Sequence, residues 1–148
     1  MLTPGTAFSE EVQEEKQANK EMTITDAVIG LTLNEAFSKF GNPAEVFPIR
    51  GESEETDNVV FYYNSHLYLF WYKNRVWQIR ADNRFEGKLC GISPQMTFKK
   101  VKEILGRPFA SDEGSYVFLY TEADYTVKIR VFISDQKVED IYVYRGDY

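Results

Sequence analysis

Cysteine and histidine are almost absent from this chain of 148 residues, since Cys90 and His66 are the only ones. A single cysteine cannot form an internal disulfide. A structural zinc site needs four ligands, mostly nitrogen or sulfur, and a catalytic triad needs a histidine beside a serine or cysteine. We expect His66 to be a surface residue at a hairpin end and Cys90 to be a packed small thiol. Neither residue therefore predicts a metal centre or a catalytic site.

Basic charge and long apolar runs are also scarce. The chain has 17 lysines and arginines against 23 aspartates and glutamates, which gives a formal net charge of −6. Nucleic acid is not an expected partner, because its phosphates require a basic surface. No stretch reaches the ~18 apolar residues of a transmembrane helix. The first residues lack the basic and apolar regions of a signal peptide, so either the protein is cytoplasmic or Met1 stands where a signal peptide was removed.

Acidic residues concentrate in one loop without the pattern of a metal site. Glu52, Glu54, Glu55 and Asp57 lack the Asp/Asn-and-Gly spacing of a calcium loop. No glycine-rich phosphate loop is present. No two acids occur in an aromatic strand setting that would raise one pKa, as a glycosidase requires. The sequence therefore predicts no cofactor, no metal ion and no enzyme activity.

Residues 1–22 form a polar, charged segment. Val12 and Ala18 are the only interruptions of that polarity between Ser9 and Glu21. So little apolar surface cannot offset the entropy lost on ordering. We predict a tail or a loosely attached helix, which would act as a spacer in an exported protein.

A pattern of threonine, eight residues, glycine, any residue and proline occurs twice, 65 residues apart. Its members are Thr32, Gly41 and Pro43, then Thr97, Gly106 and Pro108. Each threonine can cap a helix, with Glu35 completing a capping box in the first copy. Each Gly-x-Pro can end a helix, and we expect Gly41 to adopt the left-handed conformation. Both helices precede aromatic-rich runs, so we interpret the chain as one unit built twice, over residues 23–89 and 90–148.

The aromatic-rich runs have the alternation and turn residues of β-strands. The predicted strands are Val59–Tyr63, Leu67–Tyr72, Val76–Ala81, Tyr116–Tyr120, Tyr125–Ser134 and Lys137–Tyr144. Residues 22–29 read as a short helix or an extended lead-in. The predicted fold class is α+β, in which two tandem units, each a helix and an antiparallel meander of three or four strands, form one curved sheet with the helices on one face. The odd spacing from Val76 to Ile79 indicates a bulge or a register change.

Alternation along these strands separates an apolar face, which must cover the helices, from a face that meets water. The water-facing set is rich in aromatic and basic residues. Its members are Tyr62, Tyr68, Phe70, Tyr72, Arg80, Lys128, Arg130, Phe132, Tyr142 and Tyr144. An exposed aromatic patch is typical of a binding surface. Two other interpretations stay open: the N-terminal segment or a dimer partner covers these rings, or they are ordinary cross-strand pairs that stabilise the sheet.

The stretch Ile29-Gly-Leu-Thr, followed after eight residues by Gly41-Asn-Pro43 and aromatic strands, resembles the module of the SmpA/OmlA bacterial lipoproteins. Two such modules in tandem resemble the beta-lactamase inhibitor protein. Residues 69–80 and Ile104-Leu-Gly-Arg-Pro108 resemble an uncharacterised family of exported Gram-positive proteins. The resemblance covers residues 23–148 and implies one joined sheet whose open, concave, aromatic face grips a protein. The paired cysteines within each unit of the inhibitor are missing, so inhibition of beta-lactamase is not carried over.

These observations lead to one function hypothesis and one alternative. The first is a non-enzymatic protein-binding module, inhibitor-like or associated with the cell envelope, which uses the open aromatic face to bind an unidentified protein. The alternative is a protein that binds cell-wall glycan or a small molecule, because aromatic rings stack on sugar faces. The resemblance implies export or attachment to the envelope, with the cytoplasm as the alternative.

Overall fold

The computed structural model of the chain describes residues 22–53, 58–120 and 125–147. Within these ranges the chain forms ten strands, two α-helices and one 3₁₀ turn, Asp26–Val28. The helices are α1 (Leu33–Phe40) and α2 (Phe98–Leu105). The strands are β1 (Met22–Ile24), β2 (Glu45–Ile49), β3 (Asn58–Tyr63), β4 (Leu67–Tyr72), β5 (Arg75–Ala81), β6 (Gly87–Leu89), β7 (Ala110–Asp112), β8 (Ser115–Tyr120), β9 (Val127–Ser134) and β10 (Lys137–Arg145). The predicted tail lies outside the described residues except for Met22, which begins β1.

Eight of the strands form one antiparallel sheet in the order β2-β3-β4-β5-β10-β9-β8-β7. One meander of four strands follows each helix, and the two meanders join through β5 and β10. The remaining strands, β1 and β6, form a separate parallel pair. The predicted α+β class is confirmed.

Both helices begin at a threonine that caps the first turn. The Thr32 hydroxyl accepts a hydrogen bond from the Glu35 backbone N–H, and the Glu35 carboxylate accepts one from the Thr32 N–H at 3.1 Å, which confirms the capping box. Thr97 caps α2 in the same way through the Lys100 N–H. Gly41 follows α1 with φ 74° and ψ −159°, so its φ is positive but its conformation is not the predicted left-handed helical one. This region is open to glycine because glycine lacks a Cβ atom.

Three strands are not predicted from the sequence, and each of them is short or lies at an edge of its sheet. β2 is one edge of the large sheet and contains Pro48, which cannot donate a backbone hydrogen bond. β7 is the other edge and has three residues. β6 also has three residues, and it exists because β1, far away in sequence, pairs with it. Residues 22–28 are a strand followed by a 3₁₀ turn, so the lead-in is extended only in its first part.

Both helices pack on one side of the sheet, which we call the helix face. Ala36 of α1 and Val101 of α2 have no exposed surface, and the ring of Phe98 lies 4.3 Å from that of Tyr116 in β8. Inward residues of β4, β5, β9 and β10 complete this core with branched and aliphatic side chains. Burying these side chains removes apolar surface from water, which stabilises the fold by roughly 25 cal/mol per Å² of buried area. This is the main stabilising term for the fold.

The separate parallel pair and the ladder that joins the two meanders both have regular registers. β1 and β6 pair residues 65 positions apart, as in Met22 with Gly87, which is the spacing of the repeated threonine–glycine–proline pattern. In the β5–β10 ladder, Arg80 pairs with Tyr142. A register shift occurs in β5 near Val76, as the sequence predicts, and a second one occurs between Val138 and Asp140.

Candidate functional site

The ten predicted binding residues all lie on the side of the sheet opposite the helix face, and we call the surface that they form the open face. Each of them alternates along its strand with buried residues of the core, and each is half-buried rather than fully exposed. They lie on β3 (Tyr62), β4 (Tyr68, Phe70, Tyr72), β5 (Arg80), β9 (Lys128, Arg130, Phe132) and β10 (Tyr142, Tyr144). Neighbouring rings therefore cover part of each other, as the interpretation of cross-strand pairs also requires.

Five of the ten residues line up in one row across the sheet. Cross-strand pairing joins Tyr62 to Tyr68 and Tyr68 to Arg80. It then joins Arg80 to Tyr142 and Tyr142 to Arg130. The rings of Tyr62 and Tyr68 are 4.9 Å apart. The row crosses β3, β4, β5, β10 and β9, so it contains residues from both halves of the sequence.

Arg80 is the centre of this row. Its guanidinium carbon lies 4.7 Å from the ring centroid of Tyr68 and 5.5 Å from that of Tyr142. Its Nε and Nη2 atoms donate to the Asp140 carboxylate at 3.0 and 2.9 Å. These hydrogen bonds raise the pKa of Arg80, while burial acts in the opposite direction. Two rings and a two-pronged ion pair hold the side chain in one orientation.

Asp82 is the centre of a polar network at the β3–β4 end of the row. Its Oδ2 atom accepts a hydrogen bond from the Tyr68 hydroxyl at 2.8 Å and lies 3.3 Å from His66 Nδ1. Its Oδ1 atom accepts the Arg84 backbone N–H at 2.9 Å. Burial raises the pKa of Asp82, but these hydrogen bonds outweigh burial and the pKa lies below its usual value. His66 is at a hairpin end, as predicted, but it is half-buried and partnered rather than a free surface residue.

We expect Tyr68 to ionise about two pH units above an exposed tyrosine. Burial, followed by the hydrogen bond to Asp82 and the charge of that carboxylate, raises the pKa of Tyr68 to about 12. Between pH 10 and 12 the unfolded chain would release this proton first, so this tyrosine's contribution to stability is lost as the pH rises through that window. Carbon-13 NMR of labelled tyrosine Cζ atoms measures the pKa directly, and Asp82→Asn should lower it. If Tyr68 titrated near pH 10 in the unmodified chain, the network would be wrong.

The other predicted residues lie around the row without joining it. Phe70 contacts Trp77 edge to face at 6.3 Å, and the Trp77 Nε1 atom donates to Asn58 Oδ1 at 2.7 Å. Tyr72 lies at the end of β4, where the Lys73 ammonium is 5.3 Å from its ring. The bulge in β5 lies at Trp77, where the register with β4 shifts, so sequence alternation alone could not place this residue.

The remaining predicted residues extend the open face over β9 and β10. Phe132 packs edge to face on Tyr142, with ring centroids 5.8 Å apart. Tyr144 lies directly opposite Lys128, and the Lys128 ammonium is 5.6 Å from the ring of Phe109.

Two hollows open beside the Asp82 end of the row. The smaller one has a volume of about 250 Å³ and is lined by Arg80, Asp82, Asn83, Phe132, Glu139 and Asp140. The larger one has a volume of about 740 Å³ and lies between the β3–β4 turn, the segment that follows β5 and residues 94–95. Asn83 lines both hollows. The acids of the smaller hollow were absent from the predicted site, because strand alternation does not show which carboxylates meet.

The possible metal ligands and the cysteine lie apart from one another in the described parts of the chain. In those parts of the chain no three His, Cys, Asp or Glu side chains are grouped so that they could hold a metal ion. Glu54, Glu55 and Asp57 of the acidic loop lie outside the described residues. Cys90 is buried directly after β6.

Over residues 22–53, 58–120 and 125–147, no helix is long and apolar enough to cross a bilayer.

Comparison with known proteins finds likeness in fold and not in sequence. No protein-family model and no curated protein matches the chain. A cysteine-rich secretory protein from Staphylococcus aureus matches 82% of this chain with 14% identity and a TM-score of 0.57. An extracellular protein containing an SCP domain from Bacillus anthracis matches 86% of it with 9% identity and a TM-score of 0.57. This chain matches 46% and 47% of those two chains, about half of their length.

A further solved structure matches more weakly. It is a proposed beta-lactamase inhibitor protein from Streptococcus mutans, with 12% identity, a TM-score of 0.36, and matches over 77% of this chain and 82% of that one. The two stronger matches are only 14% and 9% identical to this chain, so they show a shared fold alone.

Proposed function

We propose that this chain is a non-enzymatic module that binds a protein partner through the open face. The observation that carries the proposal is the row from Tyr62 to Arg130, in which three tyrosines and two arginines lie in register across five strands. Tyrosine and arginine are enriched among the residues that dominate binding energy at protein interfaces. The contacts that hold Arg80 in place support the proposal further, because a side chain that is already ordered loses little conformational entropy on binding.

Export and a repeated architecture belong to the same proposal. The two solved structures with the stronger fold likeness are described as secretory and extracellular proteins, which supports a location outside the cell. Each α-helix begins at a capping threonine and is followed by a meander of four strands, which supports the interpretation of residues 23–89 and 90–148 as two copies of one unit. In that arrangement the open face depends on both copies, since Arg80 belongs to the first and Tyr142 to the second.

Site-specific photocrosslinking in the native cells tests the protein-binding role. A photoreactive benzoylphenylalanine at Tyr144 reports on the open face, and the same residue at Lys99, which is exposed on α2, serves as the control. We expect a discrete protein adduct from position 144 and none from position 99. Adding Tyr142→Ala to the first chain should lower the yield at least tenfold, because truncating a central aromatic anchor costs about 2 kcal/mol or more. An absent adduct, or equal yields at both positions, would contradict the proposal.

Cell-wall glycan is the second candidate ligand, and the smaller hollow favours it. That hollow combines one aromatic wall, Phe132, with the carboxylates of Glu139 and Asp140 and the amide of Asn83. Rings of this kind stack on sugars, and such polar groups hydrogen-bond sugar hydroxyls. Co-sedimentation with insoluble peptidoglycan that is lost in Phe132→Ala, and retained in Phe109→Ala, would favour glycan over a protein partner. Failure to sediment would count against it.

A further inference from the structure

Arg130 and Arg80 occupy the same open face but differ in their partners. Arg80 has a carboxylate, Asp140, within two-pronged hydrogen-bonding distance. Arg130 donates through Nη1 to the Ser115 hydroxyl at 2.9 Å, and within the described ranges it has no acidic partner. Ser115 is 3% exposed, so its hydroxyl is a buried acceptor for this guanidinium. A half-buried guanidinium with a single neutral acceptor keeps most of its donors available to a ligand.

A second cation without an ion pair among the described residues lies on the same strand. Lys128 is two residues before Arg130 on β9, and its ammonium contacts the Phe109 ring rather than any carboxylate of the described residues. The protein as a whole has a net charge of −6, so two neighbouring cations that contact no acid of the described residues stand out against its overall charge. Tyr142 and Tyr144 lie directly across from Arg130 and Lys128 on β10.

We propose that Arg130 and Lys128 form a carboxylate receptor, and that the partner of the open face presents an acidic segment to it. The inference rests on the proposed protein-binding role and names the chemistry of that partner. A planar guanidinium can bind a carboxylate through two parallel hydrogen bonds, and the ammonium of Lys128 adds charge without fixing geometry. Tyr142 and Tyr144 supply the apolar surface beside the ion pair. The expected segment therefore combines aspartate or glutamate with aromatic residues.

Two blocked peptides serve as probes, one of alternating tyrosine and glutamate and one of alternating tyrosine and glutamine. Their binding to the intact chain is measured by NMR, with the side-chain Nε–H signal of Arg130 as the readout. We expect the acidic peptide to bind at least tenfold more tightly than the neutral one and to shift this signal. Arg130→Gln should abolish the difference. Arg130→Lys should retain only part of it, because lysine cannot form the two-pronged contact.

Arg107→Gln is the matched control, because it removes one positive charge from an exposed loop after α2. It should leave the preference for the acidic peptide within about twofold, and each variant must keep the melting temperature of the unmodified chain. Equal loss in Arg107→Gln, equal affinity for both peptides, or no binding of either at about 1 mM would overturn the inference. Crosslinks from position 144 together with equal affinities would overturn it while leaving the protein-binding role intact.

Discussion

Replacing Phe118 by alanine should lower the free energy of unfolding by about 3–5 kcal/mol, the range for truncating a buried aromatic residue. Phe118 has no exposed surface and is among the largest fully buried side chains. It lies on the helix face of β8, directly opposite Ile129, which is also fully buried. The loss combines the transfer free energy of the ring with the cavity that a packed core cannot refill.

The adjacent residue supplies a matched control for this truncation. Leu119 is 43% exposed and points to the opposite face of the same strand. Leu119→Ala should change the free energy of unfolding by less than about 1 kcal/mol, because little apolar area leaves water at that position. Urea denaturation of both variants gives the comparison. Equal losses would mean that the two faces of β8 are wrongly assigned.

Gly87→Ala should destabilise the protein by about 1–3 kcal/mol, the usual cost of forcing extra atoms into a packed site. A Cβ atom at this position would lie 2.2 Å from the backbone oxygen of Met22 and 2.7 Å from the ring of Phe85. The first of these neighbours is backbone, so it cannot move aside by a rotamer change. We expect the parallel pairing of β1 with β6 to open, since this pair meets at Gly87.

Hydrogen exchange locates this effect more directly than global unfolding does. In Gly87→Ala the amides of β1 and β6 should lose protection, while those of the central strands β4 and β9 should keep it under native conditions. Lys88→Ala is the control, because Lys88 is the next residue of β6 and is exposed. Unchanged protection of β1 in Gly87→Ala would contradict the prediction, because the pair would then accept a methyl group without opening.

The two variants also separate scaffold from site. Neither Phe118 nor Gly87 belongs to the open face, so in the folded protein both variants should bind a partner of that face with unchanged affinity. The centre of the open face depends on one strand pairing, because Arg80 and Tyr142 lie opposite each other where the two meanders join. A disturbance of the β5–β10 ladder would therefore displace the centre of the row.

Local patterns in the sequence were sufficient for the helices and most of the strands. Thr32 and Glu35 lie one helical turn apart, so their capping box forms from neighbouring residues alone. Leu67–Tyr72 was predicted with the bounds that the structure has, because strict alternation in a half-buried strand is visible without knowing its neighbours. The same alternation placed all ten predicted residues on one face. Their role in binding stays a prediction.

Tertiary structure alone decided which of those residues meet and which acids accompany them. Asp140 is 60 residues from Arg80, and the β5–β10 pairing brings the two together. Asp82 is 14 residues from Tyr68, and the β4–β5 pairing brings these two together. The β8–β9 pairing places the buried Ser115 hydroxyl beside Arg130, and no carboxylate of the described residues contacts this guanidinium. The alternation of side chains along a strand determines which face of the sheet each residue occupies. The order and register of the strands come from packing both meanders against one core, and they determine which residues meet on that face.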